Sequence, residues 1–277
     1  MSAPTEVAVR WVRRFDRADR ILHGFLMLSF LGLASTGMPL LFSHAPWASV
    51  VARAFGGFES AGTLHRLFAI ILIAVFLTHV WRLLRRVVMD KDYGILWGPS
   101  SIVPQPRDLA DMAQHFLWFI GRAPRPGFER FSYWEKFDYW AVFWGMAIIG
   151  GSGILLWFPQ FFARFIPGWM FNVAFLVHGE EALLAVGFIF TIHFFNGHLR
   201  PEKFPMDMVI FTGVVSEAEL AHERPGEYER LRRSGQIEPL LADAPSARAW
   251  TIGRLVGTTA IVVGLSLVLL IVYALVM

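Results

Sequence analysis

The sequence predicts an all-α membrane protein with five transmembrane helices, four of which form one bundle. Three observations carry this prediction. Hydrophobic residues make up 55% of the 277 residues, against roughly 45–50% in ordinary soluble domains. The mean hydropathy is positive, at +0.49. The apolar residues are also gathered into separate long stretches, which is typical of membrane spans.

A helix needs about 20 mostly apolar residues to cross a bilayer. The first stretch is too long for the roughly 7–15-residue apolar region of a signal peptide, so we expect a retained helix. The five stretches that qualify are residues 21–42, 64–84, 137–158, 173–195 and 250–276.

The spans divide the chain into three predicted segments. Residues 1–213 form the transmembrane core with the first four helices, residues 214–249 form a polar cytoplasmic segment, and residues 250–277 form the fifth helix. Within the polar segment Ser216 is expected to cap a Glu-rich helix. Residues 108–121 have apolar side chains at helical spacing and predict a helix lying in the membrane interface.

Positive charge is distributed unevenly between the loops. Lys and Arg number five in residues 1–20, nine in 82–136 and eight in 200–254, whereas the other two loops carry only Arg53 and Arg164. By the positive-inside rule we expect a cytoplasmic N-terminus and a periplasmic C-terminus in a bacterial inner membrane. We expect lipid around the protein and no nucleic-acid partner.

The chain contains no cysteine. This excludes disulfides, cysteine-ligated iron–sulfur clusters and covalently attached c-type haem. The usual motifs of soluble catalysis, such as phosphate-binding glycine loops, are also missing. A redox centre in this protein must therefore be bound without covalent attachment through cysteine.

Five of the nine histidines fall inside the predicted spans. An ionisable side chain in the bilayer is costly and marks a functional site by default, although a single buried histidine is as often a packed neutral imidazole. The five are His23 in the first helix, His65 and His79 in the second, and His178 and His193 in the fourth.

The spacing of these histidines predicts two haem sites. His65 and His79 are 14 residues apart, which places them about 21 Å apart along the axis and about 40° from a common face. His178 and His193 are 15 apart, about 60° off a common face, an offset that a bulge or tilt can absorb. Because the second and fourth helices run parallel, His65 shares an outer depth with His178, and His79 shares an inner depth with His193. Opposed imidazoles at two depths are typical of two b-type haems with two histidine ligands each.

Other residues remain candidates for the site. His198 follows the fourth helix and is a further ligand candidate, and Arg66 could bind a haem propionate. Glu180 and Glu181 follow His178 within one turn and could carry protons for a quinone. Alternatively, these two carboxylates have no role in proton transfer and simply face water or a partner protein. The loop histidines are interpreted as surface residues: His44, His115 and His222.

Several runs resemble the cytochrome b (gamma) subunits of membrane formate dehydrogenases, and more closely the cytochrome b modules that work with multihaem cytochromes c. The resemblance extends from about residue 10 to 235. It is carried by FDRADRILH at 15–23, STG at 35–37, LHRL at 64–67, IGGSGILLWFP at 149–159 and HGEEALLAVGFIFTIHFFNGHLRPEKFPMDMVIFTG at 178–213.

The resemblance implies that His23 and His193 ligate the inner haem and that His65 and His178 ligate the outer one. This chain departs from the family by having His79, by a fourth-helix spacing one residue longer, and by a fifth helix. The inner partner of His193 is therefore open between His79, favoured by depth, and His23, favoured by the family. A third haem between His23 and His198 is a further alternative.

These observations predict a haem subunit of a quinone-linked respiratory oxidoreductase complex, not a complete enzyme by itself. It would transfer electrons between the quinone pool and a periplasmic multihaem cytochrome c or a metal-cofactor dehydrogenase subunit. The alternative is a transporter whose membrane histidines relay protons or metal ions. Paired depths and the lack of an internal repeat disfavour that alternative.

Overall fold

The computed structural model describes residues 9–277 and has five helices long and apolar enough to cross a membrane. Their positions confirm the five predicted stretches: each helix begins a few residues earlier than predicted, and the C-terminal ends lie within four residues of the predicted ones. We call them spans 1 to 5: Arg17–Leu41, Phe58–Val88, Tyr133–Trp157, Trp169–Leu199 and Ala247–Val276. The first eight residues of the predicted segment 1–213 lie outside the described residues.

Two of the spans contain π-helical turns. Span 3 is α-helical over Tyr133–Gly145, π-helical over Met146–Gly150 and α-helical again over Gly151–Trp157. Span 4 has π-helical turns at Ile189–His193 and Phe195–Leu199. Such turns are rare and gather at functional sites.

Short elements connect the spans. The interfacial helix predicted at 108–121 is present as Pro106–Phe119, and Ser216 caps the next predicted helix by accepting a hydrogen bond from the Glu219 amide at 3.2 Å. The remaining helices are Pro46–Ala54, Tyr93–Ile95, Pro159–Phe162, Val209–Thr212, Glu217–Glu223, Pro225–Arg233 and Glu238–Leu240. The strands are β1 (Trp11–Arg13), β2 (Val214–Ser216) and β3 (Leu241–Ala242).

The chain forms two compact units, each assembled from separate segments. The first unit contains the described residues up to Arg20 together with Leu83–Tyr139 and Met208–Gly253. The second contains Ile21–Arg82, Trp140–Asp207 and Arg254–Met277, and so holds most of the apolar length of the spans.

The first unit is organised around a three-stranded antiparallel sheet in the order β2-β1-β3. Val12 is its central residue, opposite Val215 on one side and Leu241 on the other. Val12 and Val215 are buried with Leu220 and Leu231 in a small hydrophobic core. The polar segment 214–249 is therefore folded against the N-terminal strand, which its composition alone does not predict.

Buried ion pairs join the segments of this unit. Lys136 Nζ donates to both carboxylate oxygens of Asp108 at 2.9 Å, and both side chains are buried. Arg14 donates to Glu227, which is also paired with Arg130 at 3.4 Å. Burial lowers the pKa of the Arg14 guanidinium, and the Glu227 carboxylate opposes that shift.

His115 is buried, which corrects its interpretation as a surface residue. Its ring stacks on Phe119 and Trp134 at 4.6 and 5.2 Å between centroids, and its Nδ1 lies 3.0 Å from the Tyr133 hydroxyl. A loop histidine can thus be enclosed by aromatic side chains that surround it only in the folded unit. His44 and His222 are exposed, as predicted.

The core of the second unit combines spans 1, 4 and 5. Met38 of span 1, Phe190 of span 4 and Leu267 of span 5 are buried in one cluster. Gly264 of span 5 lies directly on span 4, since a Cβ there would be 2.6 Å from the Phe190 ring. The fifth helix is therefore packed into the bundle.

Candidate functional site

His65 of span 2 and His178 of span 4 face each other. Their ring centroids are 6.3 Å apart and their planes are inclined at 80°. We call these two residues the first histidine pair. The structure brings together the two histidines that were predicted to share one depth.

The His65 ring is held by span 1 through its Nδ1 atom. The Leu33 carbonyl accepts a hydrogen bond from the ring, and Nδ1 lies 3.1 Å from Thr36 Oγ1. The Thr36 hydroxyl itself donates to the Gly32 carbonyl at 2.7 Å. Since the Thr36 hydroxyl gives its own proton to Gly32, it acts as an acceptor toward the ring, so Nδ1 carries the proton and Nε2 keeps its lone pair.

The His178 ring is held by span 3 in the same manner. Its Nδ1 lies 3.0 Å from the Ile149 carbonyl oxygen and 3.3 Å from Ser152 Oγ. The Ser152 hydroxyl donates to the Ile148 carbonyl at 2.6 Å. The Nε2 atom of His178 therefore also keeps its lone pair, as a metal ligand requires.

The spacing of this pair fits one metal ion held between the two rings. A first-row metal lies about 2 Å from an imidazole nitrogen, so two opposed ligands have ring centroids about 6 Å apart. The observed 6.3 Å agrees with this value. Nδ1–H donation to a backbone carbonyl is also the usual outer contact of a metal-bound histidine.

Three further histidines form a second group, composed of His23, His193 and His198. The rings of His193 and His198 have centroids 6.5 Å apart at 88°. His23 of span 1 lies within electrostatic range of both. The Nδ1 of His198 also accepts the Asp207 amide at 3.3 Å, which leaves its proton on Nε2.

The π-helical turn Ile189–His193 explains the unusual spacing in span 4. A π turn accommodates one residue more than an α turn, because its hydrogen bonds join residues five apart. The 15-residue separation of His178 and His193 is therefore reduced in effect to that of 14 residues in a regular helix. Of the two ways in which the offset could be absorbed, a bulge or a tilt, a bulge is present, and it ends at His193.

The other candidate residues lie elsewhere in the second unit. His79 packs edge-on against Phe143 of span 3, with centroids 6.4 Å apart. The Arg66 guanidinium lies 5.9 Å from the centroid of the Trp157 ring. Glu181 accepts a hydrogen bond from the Trp144 indole at 3.3 Å, and its neighbour Glu180 is exposed on the surface of span 4.

Sequence reasoning identified the histidines but missed the groups that orient them. In the sequence Thr36 and Ser152 stand out only as parts of the STG and IGGSG runs, with no role assigned to either hydroxyl. Both precede a glycine and lie on the span before the histidine that they contact. A Ser/Thr-Gly pair facing a membrane histidine is the signal that could have found them.

A multi-pass helical bundle with histidines aligned inside it defines a class, the membrane cytochromes b. The family model of prokaryotic cytochrome b561 matches residues 14–200, which is about two thirds of the chain. The chain therefore belongs to the prokaryotic cytochrome b561 family. A search of curated proteins finds no match.

Family membership makes this chain a multi-pass bacterial membrane protein that carries b-type haem and transfers electrons. This match does not confirm the formate dehydrogenase gamma grouping expected from the resemblance, which stays a prediction. Iron held by neutral imidazole nitrogens is the ligation of such haems, and the first histidine pair fits it in ring separation and in tautomer.

Proposed function

We propose that this chain is the haem-bearing subunit of a quinone-linked oxidoreductase complex. The observation that carries the proposal is the presence of two histidine groups in one bundle. The first is built on His65 and His178 and the second on His23, His193 and His198. His178 and His193 lie about 20 Å apart along span 4, which suits transfer of electrons across a bilayer.

Haem b supplies a one-electron carrier when it is bound. In our proposal His65 and His178 are the two ligands of one haem, and His23 and His193 are those of a second. His193 and His198 lie five residues apart on one helix, so they could not occupy opposite faces of one flat macrocycle. A ligand from another span is needed, and His23 supplies it.

The haem content of the purified protein tests this proposal directly. Pyridine haemochrome analysis against protein concentration should give two b-type haems per chain. Three would favour the alternative in which His79 pairs with His193 and a third haem lies between His23 and His198, and a value near zero would contradict the haem subunit altogether.

We place the quinone site at Glu180 and Glu181. A carboxylate one turn from His178 can accept the protons released when a quinol is oxidised. The Trp144 indole fixes the position of Glu181 by donating to it at 3.3 Å. Arg66 lies over the Trp157 ring in the same unit. In our proposal its guanidinium holds a haem propionate.

Quinol oxidation by Glu180→Gln and Glu181→Gln variants tests the quinone site. At least one variant should be slower and have an altered pH dependence, with unchanged haem content. Glu202→Gln, an exposed carboxylate beyond span 4, is the matched control. Unchanged rates and pH profiles in both variants would place the quinone elsewhere, near the second histidine group.

The partner in this proposal is a soluble redox protein on the periplasmic side, either a multihaem cytochrome c or a metal-cofactor dehydrogenase. Support comes from the charge distribution, which puts the Lys- and Arg-rich segments in the cytoplasm and the first histidine pair near the periplasm. Isolation of the complex from native membranes followed by mass spectrometry would identify the partner.

A further inference from the structure

The two histidines of the first pair are held by the same local arrangement in two different spans. In span 1 the sequence supplies a carbonyl at Leu33, a hydroxyl at Thr36 and a glycine at Gly37. In span 3 it supplies the same three groups at residues 149, 152 and 153, with the same spacing of three and four residues.

The glycine of each arrangement lies under the imidazole ring. A Cβ on Gly37 would be 2.9 Å from Cε1 and 3.2 Å from Nδ1 of His65. A Cβ on Gly153 would be 3.0 Å from Cε1 and 3.4 Å from Nδ1 of His178. Neither histidine could keep its present position if the glycine carried a side chain, since the contact falls on the ring itself.

The hydroxyl of each arrangement acts as an acceptor toward the ring. Thr36 gives its proton to the Gly32 carbonyl, and Ser152 gives its proton to the Ile148 carbonyl. The Nδ1–H of His178 is therefore shared between the Ile149 carbonyl and the Ser152 hydroxyl, and that of His65 is directed at the Thr36 hydroxyl in a ring that also bonds the Leu33 carbonyl. Two acceptors on one N–H increase the negative charge on the imidazole and make Nε2 a stronger donor to iron.

We propose that Thr36 and Ser152, each with its following glycine, are positioning residues that set the ring orientation and the basicity of both axial ligands of one haem. This rests on the proposed role of His65 and His178 as ligands. Together, the two arrangements hold the plane of the His65 ring at 80° to the plane of the His178 ring. The hydroxyl contacts lower the midpoint potential of this haem, because a more basic ligand favours ferric over ferrous iron.

Redox titration of single variants tests the role of the hydroxyls. Thr36→Val keeps the shape of the side chain and removes its oxygen, so the midpoint potential of one haem should shift upward while that of the other stays unchanged. Ser152→Ala should shift the same haem in the same direction. Thr36→Ser, which restores a hydroxyl, should return the potential toward the parent value.

The EPR spectrum of the ferric protein tests the ring orientation. Axial imidazoles with perpendicular planes give a more anisotropic low-spin signal than parallel ones. Gly153→Ala should change this signal or abolish the haem, because its Cβ must displace His178. Gly151→Ala is the matched control: it lies two residues earlier, on the opposite face of span 3, and its Cβ would have no neighbour within 4 Å.

A chain without haem and a chain whose hydroxyls do not position the histidines would give different results. Parent protein without haem would overturn the proposed function. Parent protein with haem, but with potentials and EPR spectra that do not change in Thr36→Val, Ser152→Ala and Gly153→Ala, would overturn the positioning role alone. An upward shift confined to one haem in both hydroxyl variants supports it.

Discussion

At the scale of single residues, the histidines of this bundle show how a polar group is kept inside an apolar region. A buried N–H without a partner costs about 1–3 kcal/mol. His65 and His178 avoid this cost, since each ring is hydrogen-bonded to a carbonyl and a hydroxyl of the adjacent span. The hydrogen bonds that stabilise the neutral rings also leave Nε2 available for iron.

The first prediction at this scale concerns the first histidine pair. His65→Ala and His178→Ala should each remove the same haem and leave the other, because the two rings oppose each other at 6.3 Å. Redox titration of the remaining absorbance identifies which haem is lost. If the two variants lost different spectral components, the pairing would be wrong.

A second prediction separates the two candidate partners of His193. We expect His23→Ala to remove the haem that His193→Ala removes, since His23 lies within electrostatic range of His193. His79→Ala serves as the matched comparison, because its ring packs on Phe143 in span 3. The reverse result, with His79→Ala matching His193→Ala, would restore the pairing suggested by depth.

The sequence allows prediction of a ligand candidate but not of its surroundings. A histidine in an apolar stretch is easily recognised in the sequence, because it is a polar residue among apolar ones. The carbonyls of Leu33 and Ile149 carry no sequence signal, since every residue has one. His115 was interpreted wrongly for a related reason: the rings that enclose it become its neighbours only after residues 119 and 134 meet in the folded unit.

At the scale of elements, hydropathy located all five spans, because a span is a property of local composition. The π-helical turns had only an indirect sign in the sequence, an angular offset between two histidines that a regular helix does not place on one face. The 60° offset between His178 and His193 required a local distortion, but the sequence did not say that Ile189–His193 would provide it. The strands, of two or three residues each, were not predicted, since so short an element has no recognisable alternation.

The packing of span 5 on span 4 gives a third prediction. Gly264→Ala places a Cβ 2.6 Å from the Phe190 ring and 2.8 Å from the Phe194 ring, and such overpacking costs about 1–3 kcal/mol. Because these two phenylalanines flank His193, the haem bound there should be lost at a lower temperature than the haem of the first pair. Thermal melts followed at the haem absorbance measure this.

Gly187→Ala is the control for that variant. Gly187 lies in span 4, and a Cβ there would have no neighbour within 4 Å. It should melt at or slightly above the parent temperature, since alanine is the better helix former. Equal destabilisation in both variants would mean that the contact between spans 5 and 4 is not the cause.

At the scale of the whole molecule, the three-stranded sheet constrains the topology. β1 precedes span 1, whereas β2 and β3 follow span 4. Strands that pair must lie on the same side of a membrane, so the chain must cross an even number of times between Arg13 and Val214. Four spans satisfy this condition, and the condition does not depend on the distribution of charge.

The side on which the sheet lies gives a fourth prediction. The natural chain has no cysteine, so single cysteines can be introduced at exposed positions without background labelling. With a membrane-impermeant maleimide, Ser43→Cys should react in intact cells and Ser234→Cys only after permeabilisation. The opposite pattern would invert the proposed orientation, and labelling of both in intact cells would contradict the three spans that separate Ser43 from Ser234.

The pairing of β1 with β2 and β3 also has a consequence for biosynthesis. Trp11 leaves the ribosome about two hundred residues before its partners Ser216 and Ala242, and in the interval four helices must enter the bilayer. A nascent chain in which one helix failed to insert would carry β1 and β2 on opposite sides and could not complete the sheet. Such a chain would keep unpaired strand edges, which invite aggregation and degradation. Closure of this small sheet therefore requires that an even number of the first four helices has been inserted, and a chain with a single missing crossing fails it.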